Sequence, residues 1–225
     1  MDKCEIKKSL VTEIYCSLKD DILWLRLKPG QMLNEQYLAE IYKTSKTPVR
    51  EALARLIAEN LVTVLPRKGY IVTNISYSDM HNLFQYRSVL ECASIEYAVK
   101  YATDVQLNHL EELSGNLKAF YDDEPHFEFS IFSNTDFHLY LTQISGNPFI
   151  LDALVKAIEQ MQRFMWASTT ESILEASVFE HYQIVKLIRE KQVIEAQKLM
   201  RKHINDVFES GMERKVKGFL SHIVY

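Results

Sequence analysis

The sequence predicts a mainly α protein in two parts: three helices with a two-stranded β-ribbon, then an all-α antiparallel bundle of about six helices. Three observations carry that prediction. Apolar residues recur at helical spacing along most of the 225 residues. One stretch, 61–73, instead reads as two short β-rich runs around a basic turn. Only six Gly and five Pro interrupt the chain, too few for a loop-rich β fold.

In the first part, Val11, Ile14, Tyr15, Leu18, Ile22 and Leu25 mark an amphipathic helix that Lys28-Pro29-Gly30 ends. Asn34 suits the N-cap of a short helix burying Leu38 and Ile41. After a turn at Lys43-Thr44, a third helix opens between Ser45 and Pro48 and buries Val49, Leu53, Leu56 and Ile57. Residues 61–65 and 70–73 are the strands, and Pro66-Arg67-Lys68-Gly69 is the turn between them. Helix, short helix, turn, helix and ribbon is the winged helix-turn-helix order.

In the second part, Ser76 or Ser78 caps a helix carrying Met80, Leu83, Phe84, Leu90, Ile95 and Val99. Thr103 to Gln106 has capping-box spacing ahead of Leu107, Leu110 and Leu117. Tyr121 to Pro125 is a break, and Ser145-Gly146-Asn147-Pro148 a stop and restart. Ile150, Leu154, Ile158, Met161 and Met165 follow at helical spacing, and two more helices run near 171–190 and 193–215. The expected domains are 1–74 and 75–225.

Composition narrows the functions. Hydrophobic residues make up 47% and charged residues 25%, ordinary for a soluble globular protein. No apolar run has membrane-spanning length, and MDKCEIKK lacks a signal-peptide apolar region. Cys4, Cys16 and Cys92 have no CxxC spacing and read as reduced thiols, so a cytoplasmic protein with no membrane partner is expected. Net charge is −4, yet residues 1–73 hold 12 Lys+Arg against 9 Asp+Glu, so the front is basic and the remainder acidic. That asymmetry suits a chain whose front alone meets phosphates.

The chemistry of the front agrees. Lys46 and Arg50 are four apart on one face of the third helix, with Ser45 and Thr47 at its start. Such groups reach base edges and phosphates in a major groove, while Arg67 and Lys68 at a wing tip suit a flanking phosphate or the minor groove. The alternative is a solvated charged face. LKPGQMLNEQYLAEIYKTSKTPVREALARLIAENLVTVLPRKGYIV closely resembles the DNA-binding domain of GntR-type regulators, with the SxTPVREAL run and the following wing glycine as its most specific part. The resemblance implies DNA contacts at Ser45, Lys46, Thr47 and Arg50, and close backbone approach at Gly69. Lys46 stands where Arg is usual, and Asn60 where Gly is common.

One constellation in the second part has metal-ligand chemistry. Asn134 and His138 share a helix face, and His181 and His203 lie on later helices. Three imidazoles and an amide oxygen can converge on a divalent metal such as Zn²⁺, Ni²⁺ or Mn²⁺, although isolated histidines more often pack or face solvent. Arg87 interrupts an apolar face; its fork fits a carboxylate, and the competing reading is an internal salt bridge to Glu91. LFQYRSVLEC, NTDFHLYLTQISGNPF and EHYQIVKLIREKQVIEAQKLMRKHI resemble the FCD effector domain of the FadR subfamily, nearest its VanR-like branch. The resemblance implies Asn134, His138, His181 and His203 as ligands, with Asn in place of the commoner Asp. It also implies Arg87 at an acidic effector. Arg163 is a candidate second cationic contact, and Tyr86, Met161 and Trp166 either shape the pocket or belong to the core. The expected function is a homodimeric regulator, a repressor by preference, that binds a double-stranded DNA operator and responds to a small organic acid on a metal, Zn²⁺ first. A metalloenzyme with Glu180 as base and a sensor of the metal itself are the competing functions.

Overall fold

The computed structural model describes residues 9–119, 127–168, 171–216 and 223–224. The chain divides into two compact units, one running through Ser76 and joined by the C-terminal strand, the other beginning at Tyr77. The structural boundary thus falls two residues beyond the 74/75 position read from the sequence, and the chain returns to its first unit at the end.

The first unit contains α1 (Leu10–Leu23), β1 (Met32–Leu33), α2 (Glu35–Ile41), α3 (Lys46–Ala58), β2 (Val62–Leu65), β3 (Gly69–Val72), β4 (Ile75–Ser76) and β5 (Ile223–Val224). Ser9 and Asn34 cap α1 and α2, their side-chain oxygens accepting from the N–H groups of Thr12 and of Gln36 and Tyr37. Ile14, Leu18 and Ile22 of α1 pack with Val49, Ala52, Leu53 and Leu56 of α3 in one core. Each large side chain there contributes roughly 1.5–3 kcal/mol of burial. Ile41 departs from expectation. It is 52% exposed, because the buried face of the seven-residue α2 is centred between Leu38 and Ala39, about 110° round the helix from Ile41. Asn60 ends α3 at φ +59, the left-handed conformation expected of a residue standing where Gly is common.

The sheet has order β1-β3-β2, all antiparallel, with Val62 opposite Val72 and Leu65 opposite Gly69. β1, a third strand beyond the ribbon, pairs Met32 with Ile71 and Leu33 with Tyr70. The parallel β4–β5 pair, Ile75 with Ile223 and Ser76 with Val224, is equally unforeseen.

The second unit is all helical among the described residues: α4 (Tyr77–Tyr101), α5 (Asp104–Ala119), α6 (Phe127–Ile144), α7 (Pro148–Ser168), α8 (Glu171–Arg189) and α9 (Val193–Val216). Thr103 and Gln106 form the reciprocal capping box at α5: Oγ1 accepts from the Gln106 N–H, and Oε1 from the Thr103 N–H. Asn147 caps α7 through the N–H groups of Phe149 and Ile150. The expected break at Tyr121–Pro125 lies outside the described residues. α4 packs on α6, α7 and α9, and α8 on α5 and α9. Its inward stripe is Met80, Phe84, Arg87, Glu91, Ser94, Ile95 and Ala98, so three polar residues sit where an apolar stripe would continue. No helix among the described residues is long and apolar enough to cross a membrane.

Candidate metal centre and nucleic-acid interface

Four helices of the second unit bring polar side chains into its core. α6 supplies Asn134 and His138, α8 supplies Glu180 and His181, α9 supplies His203, and α4 supplies Arg87 and Glu91. All seven are buried, each at most 9% exposed. The expected ligand histidines come together: His203 Nε2 lies 3.3 Å from both His138 Nε2 and His181 Nε2. One ring nitrogen from each of the three histidines lies within 4.8 Å of the other two.

The far side of each ring fixes its orientation. His138 Nδ1 is 2.6 Å from Glu91 Oε2, and His203 Nδ1 is 2.9 Å from Glu180 Oε2. An ionised carboxylate only accepts, so the proton in each bond belongs to Nδ1. In the neutral rings, the Nε2 lone pairs of His138 and His203 then face each other across 3.3 Å. Two lone pairs at that distance repel unless a cation lies between them. His181 stacks flat on Phe137, with centroids 3.8 Å apart and planes 7° from parallel. Asn134 Oδ1 and His181 Nδ1 are buried without a hydrogen-bond partner. Three imidazole nitrogens and an unsatisfied amide oxygen, with carboxylates behind two rings, is a donor set that fits a divalent metal.

Protonation states agree. Burial holds the His138 and His181 rings well below the ordinary imidazole value; for His138 it overcomes the pull of Glu91, and for His181 the neighbouring charges act in the same direction. Burial would raise the Glu91 carboxyl, but His138 and the Arg87 guanidinium bring it below the usual carboxylate range. Arg87 donates from Nε to Glu91 Oε1 at 2.5 Å, and its Nη1 lies 3.9 Å from Met165 Sδ. The internal salt bridge read as an alternative for Arg87 is therefore present. Arg163 is 6% exposed, and desolvation lowers its guanidinium to about 10. Tyr86 is 46% exposed on α4, while Met161 is fully buried. A cavity of about 430 Å³ opens along α8 and α9 and reaches Glu180 and His203.

Two contributors escaped the sequence reading in these roles. Glu91 appeared only as a mate for Arg87, and Glu180 only as a candidate base. Glu180 instead divides its oxygens between His203 Nδ1 and Lys202 Nζ, the latter at 2.6 Å. Asp136, two residues past Asn134, lies on the exposed side of α6.

In the first unit, Ser45 is the N-cap of α3 without accepting a hydrogen bond there, and Lys46, Thr47 and Arg50 are exposed. The free N–H groups of the first turn thus share the surface with two cations and two hydroxyls. Arg50 Nε donates to Glu35 Oε2 at 2.8 Å, and the Tyr70 hydroxyl to Glu35 Oε1 at 2.9 Å. The wing turn closes through the Lys68 N–H to the Leu65 carbonyl at 3.0 Å, with Arg67 at φ +65 after Pro66. Arg67 and Lys68 are exposed at its tip. Gly69 has φ +106, and a Cβ there would come within 3.3 Å of the Leu33 carbonyl oxygen.

Comparison with known families assigns each unit. Residues 10–72 match the model of bacterial regulatory proteins of the gntR family, and residues 82–206 match the FCD domain. The chain belongs to the GntR family of transcription regulators with an FCD domain. It is therefore a DNA-binding regulator, and its family is not one of enzymes. The GntR relatives include the Uxu operon regulator of Haemophilus influenzae, 30% identical over 218 residues, covering 87% of this chain and 79% of that protein. The transcriptional repressor RspR of Escherichia coli is 26% identical over 203 residues, with 88% and 87% covered. Escherichia coli McbR/YncC shares the fold at TM-score 0.67 and 22% identity, covering 94% of this chain and 99% of that one.

Proposed function

We propose that this GntR regulator is a homodimeric repressor whose operator affinity is set by a small carboxylate bound at a divalent metal in the second unit. The observation that carries the reading is the convergence of three buried imidazoles with carboxylates behind two of them. Asn134, His138, His181 and His203 would hold the ion, Zn²⁺ first and Ni²⁺ or Mn²⁺ next, given three nitrogen donors and a neutral oxygen. When bound, the metal supplies a Lewis-acidic position for one carboxylate oxygen. Arg87 keeps Glu91 in place and offers its remaining N–H groups to the acid, with Arg163 as second cation.

Residues 1–74 carry the DNA contacts in this reading, and 75–225 the effector site and dimer interface. Ser45, Lys46, Thr47 and Arg50 enter the major groove, while Arg67, Lys68 and Gly69 follow the flanking backbone. One head contacts too few base pairs for specificity, so two heads read a two-fold site. Repression is favoured because RspR, a relative along most of its length, is named a repressor. Allostery requires the acid to prefer one arrangement of the heads.

The test is thermal stability of the purified protein with its native metal against a panel of small carboxylic acids, before and after chelation, with operator binding read in parallel. A ligand at a hundred times its Kd adds about 2.7 kcal/mol. A stabilising acid that loses its effect on chelation and weakens operator binding supports the reading. Metal alone shifting operator affinity would make the ion the signal. Stability indifferent to chelator and to every acid would refute both.

A further inference from the structure

Both oxygens of Glu35 are engaged, on one side by the recognition helix and on the other by the wing. Glu35 opens α2; its Oε2 accepts from Arg50 Nε on α3 at 2.8 Å, and its Oε1 from the Tyr70 hydroxyl on β3 at 2.9 Å. The carboxylate side chain is 19% exposed, the arginine side chain 61%. Burial would raise the Glu35 carboxyl, but the bonds from Tyr70 and Arg50 and the charges of Arg50 and Lys46 bring it below its ordinary value, so it stays ionised. A carboxylate beside a surface that meets phosphates is repulsive, and Coulomb's law alone disfavours it there. Its compensation lies in geometry. A free arginine loses rotamer freedom on binding DNA, whereas one held through Nε has lost much of it beforehand.

We propose that Glu35 is a positioning residue for operator recognition: anchored by Tyr70, it holds the Arg50 guanidinium in its DNA-reading orientation. The proposal rests on the reading that Arg50 touches DNA. A bridge that merely joined α2 to α3 would behave differently, because the positioning role splits two affinities in sign. Removing the negative charge raises affinity for DNA of any sequence. Releasing Arg50 lowers affinity for the specific site alone.

The experiment uses the full-length protein with its native metal. A duplex selected by the wild type from a randomised library serves as the specific probe, and a scrambled duplex of equal composition as control. Binding is measured at one fixed salt concentration for Glu35→Gln, Tyr70→Phe, Arg50→Ala and Glu35→Gln/Arg50→Ala, each with a melting temperature. Glu35→Gln is expected to bind the selected duplex about tenfold more weakly. It should also bind the scrambled duplex more tightly and melt with the wild type. Tyr70→Phe, which keeps the carboxylate charge, should weaken the selected duplex by less and leave the scrambled duplex unchanged, and Glu35→Gln should cost nothing further once Arg50 is gone. A gain on both duplexes would reduce Glu35 to a phosphate repellent, no change would make it a spectator, and loss on both with a lower melting temperature would make it a structural tie. Arg50→Ala losing the selected duplex while Glu35→Gln does not would overturn the positioning role alone. Arg50→Ala retaining it would overturn the recognition-helix reading as well.

Discussion

His138 and Glu91 share a 2.6 Å hydrogen bond inside the helical bundle, and neither side chain reaches solvent. The carboxylate lies between a ring nitrogen on one side and the Arg87 guanidinium on the other. Removing its charge therefore does two separable things. Glu91→Gln leaves Arg87 as a buried cation without its counter-ion, which should destabilise the protein by about 3–5 kcal/mol. It should also weaken metal affinity about 10- to 100-fold through loss of ring orientation. Denaturant melts of chelated protein measure the first and metal titration the second; an unchanged melt would contradict the buried pair.

Replacing Asn134 by aspartate tests the fourth ligand. A carboxylate oxygen holds a divalent cation more firmly than a neutral amide, so Asn134→Asp should tighten metal binding by on the order of tenfold. Competition against a chelator of known affinity reads the change. Equal affinity in the two proteins would place residue 134 outside the coordination sphere.

His181→Ala removes one of the three converging rings and should lower metal stoichiometry and the response to acids, leaving basal DNA binding unchanged. Elemental analysis after gel filtration decides it. Wild-type metal content in the variant would refute the assignment.

Acid should destabilise the metal-free protein by a route that begins near neutrality. His138 and His181 have depressed values in the folded state, whereas unfolded imidazoles titrate near about 6.5. Below that pH the unfolded chain takes up protons that the folded one refuses, so stability falls as pH falls toward the folded values. Melting temperature between pH 7 and 5 should drop in wild type and drop less in His181→Ala. Parallel curves for the two proteins would count against this linkage.

At the wing, Gly69→Ala puts a Cβ 3.3 Å from the Leu33 carbonyl oxygen at φ +106. The strained turn should cost about 1 kcal/mol or more of stability. Lys46→Ala with Arg50→Ala, by contrast, should leave the fold intact and abolish specific binding. If each residue neutralises one phosphate, the salt slope of residual binding falls by about two. An unchanged slope would mean that neither meets the DNA backbone.

The head was legible because its signals are local. Asn34 as cap, Asn60 beyond α3 and the Pro66–Gly69 turn each act within a few residues. β1 was not legible, since two residues cannot display a period of two. Nor was the β4–β5 pair, which joins segments far apart in sequence. In the bundle the converging histidines could be named, but their carboxylate supports could not. Charged residues are read as outward-facing, and Glu91 and Glu180 face inward because each finds a ring and a cation at once. The available signal was Arg87 and Glu91 together, four apart within one inward stripe.

Glu91 is matched by Arg87, and Glu180 by Lys202. Each carboxylate steering a ring thus touches a cation, although Lys202 is shared with Asp206, and imidazole and amide donors bring no formal charge of their own. The cradle offers a divalent ion orientation while leaving most of its charge without offset. On the proposed reading, the incoming acid is the offset, and ion and acid become heterotropic partners. Reciprocity then requires the acid to tighten the ion by the same factor as the ion tightens the acid. A cell that starves the protein of one ligand would loosen its hold on the other, so the switch would respond to two supplies at once.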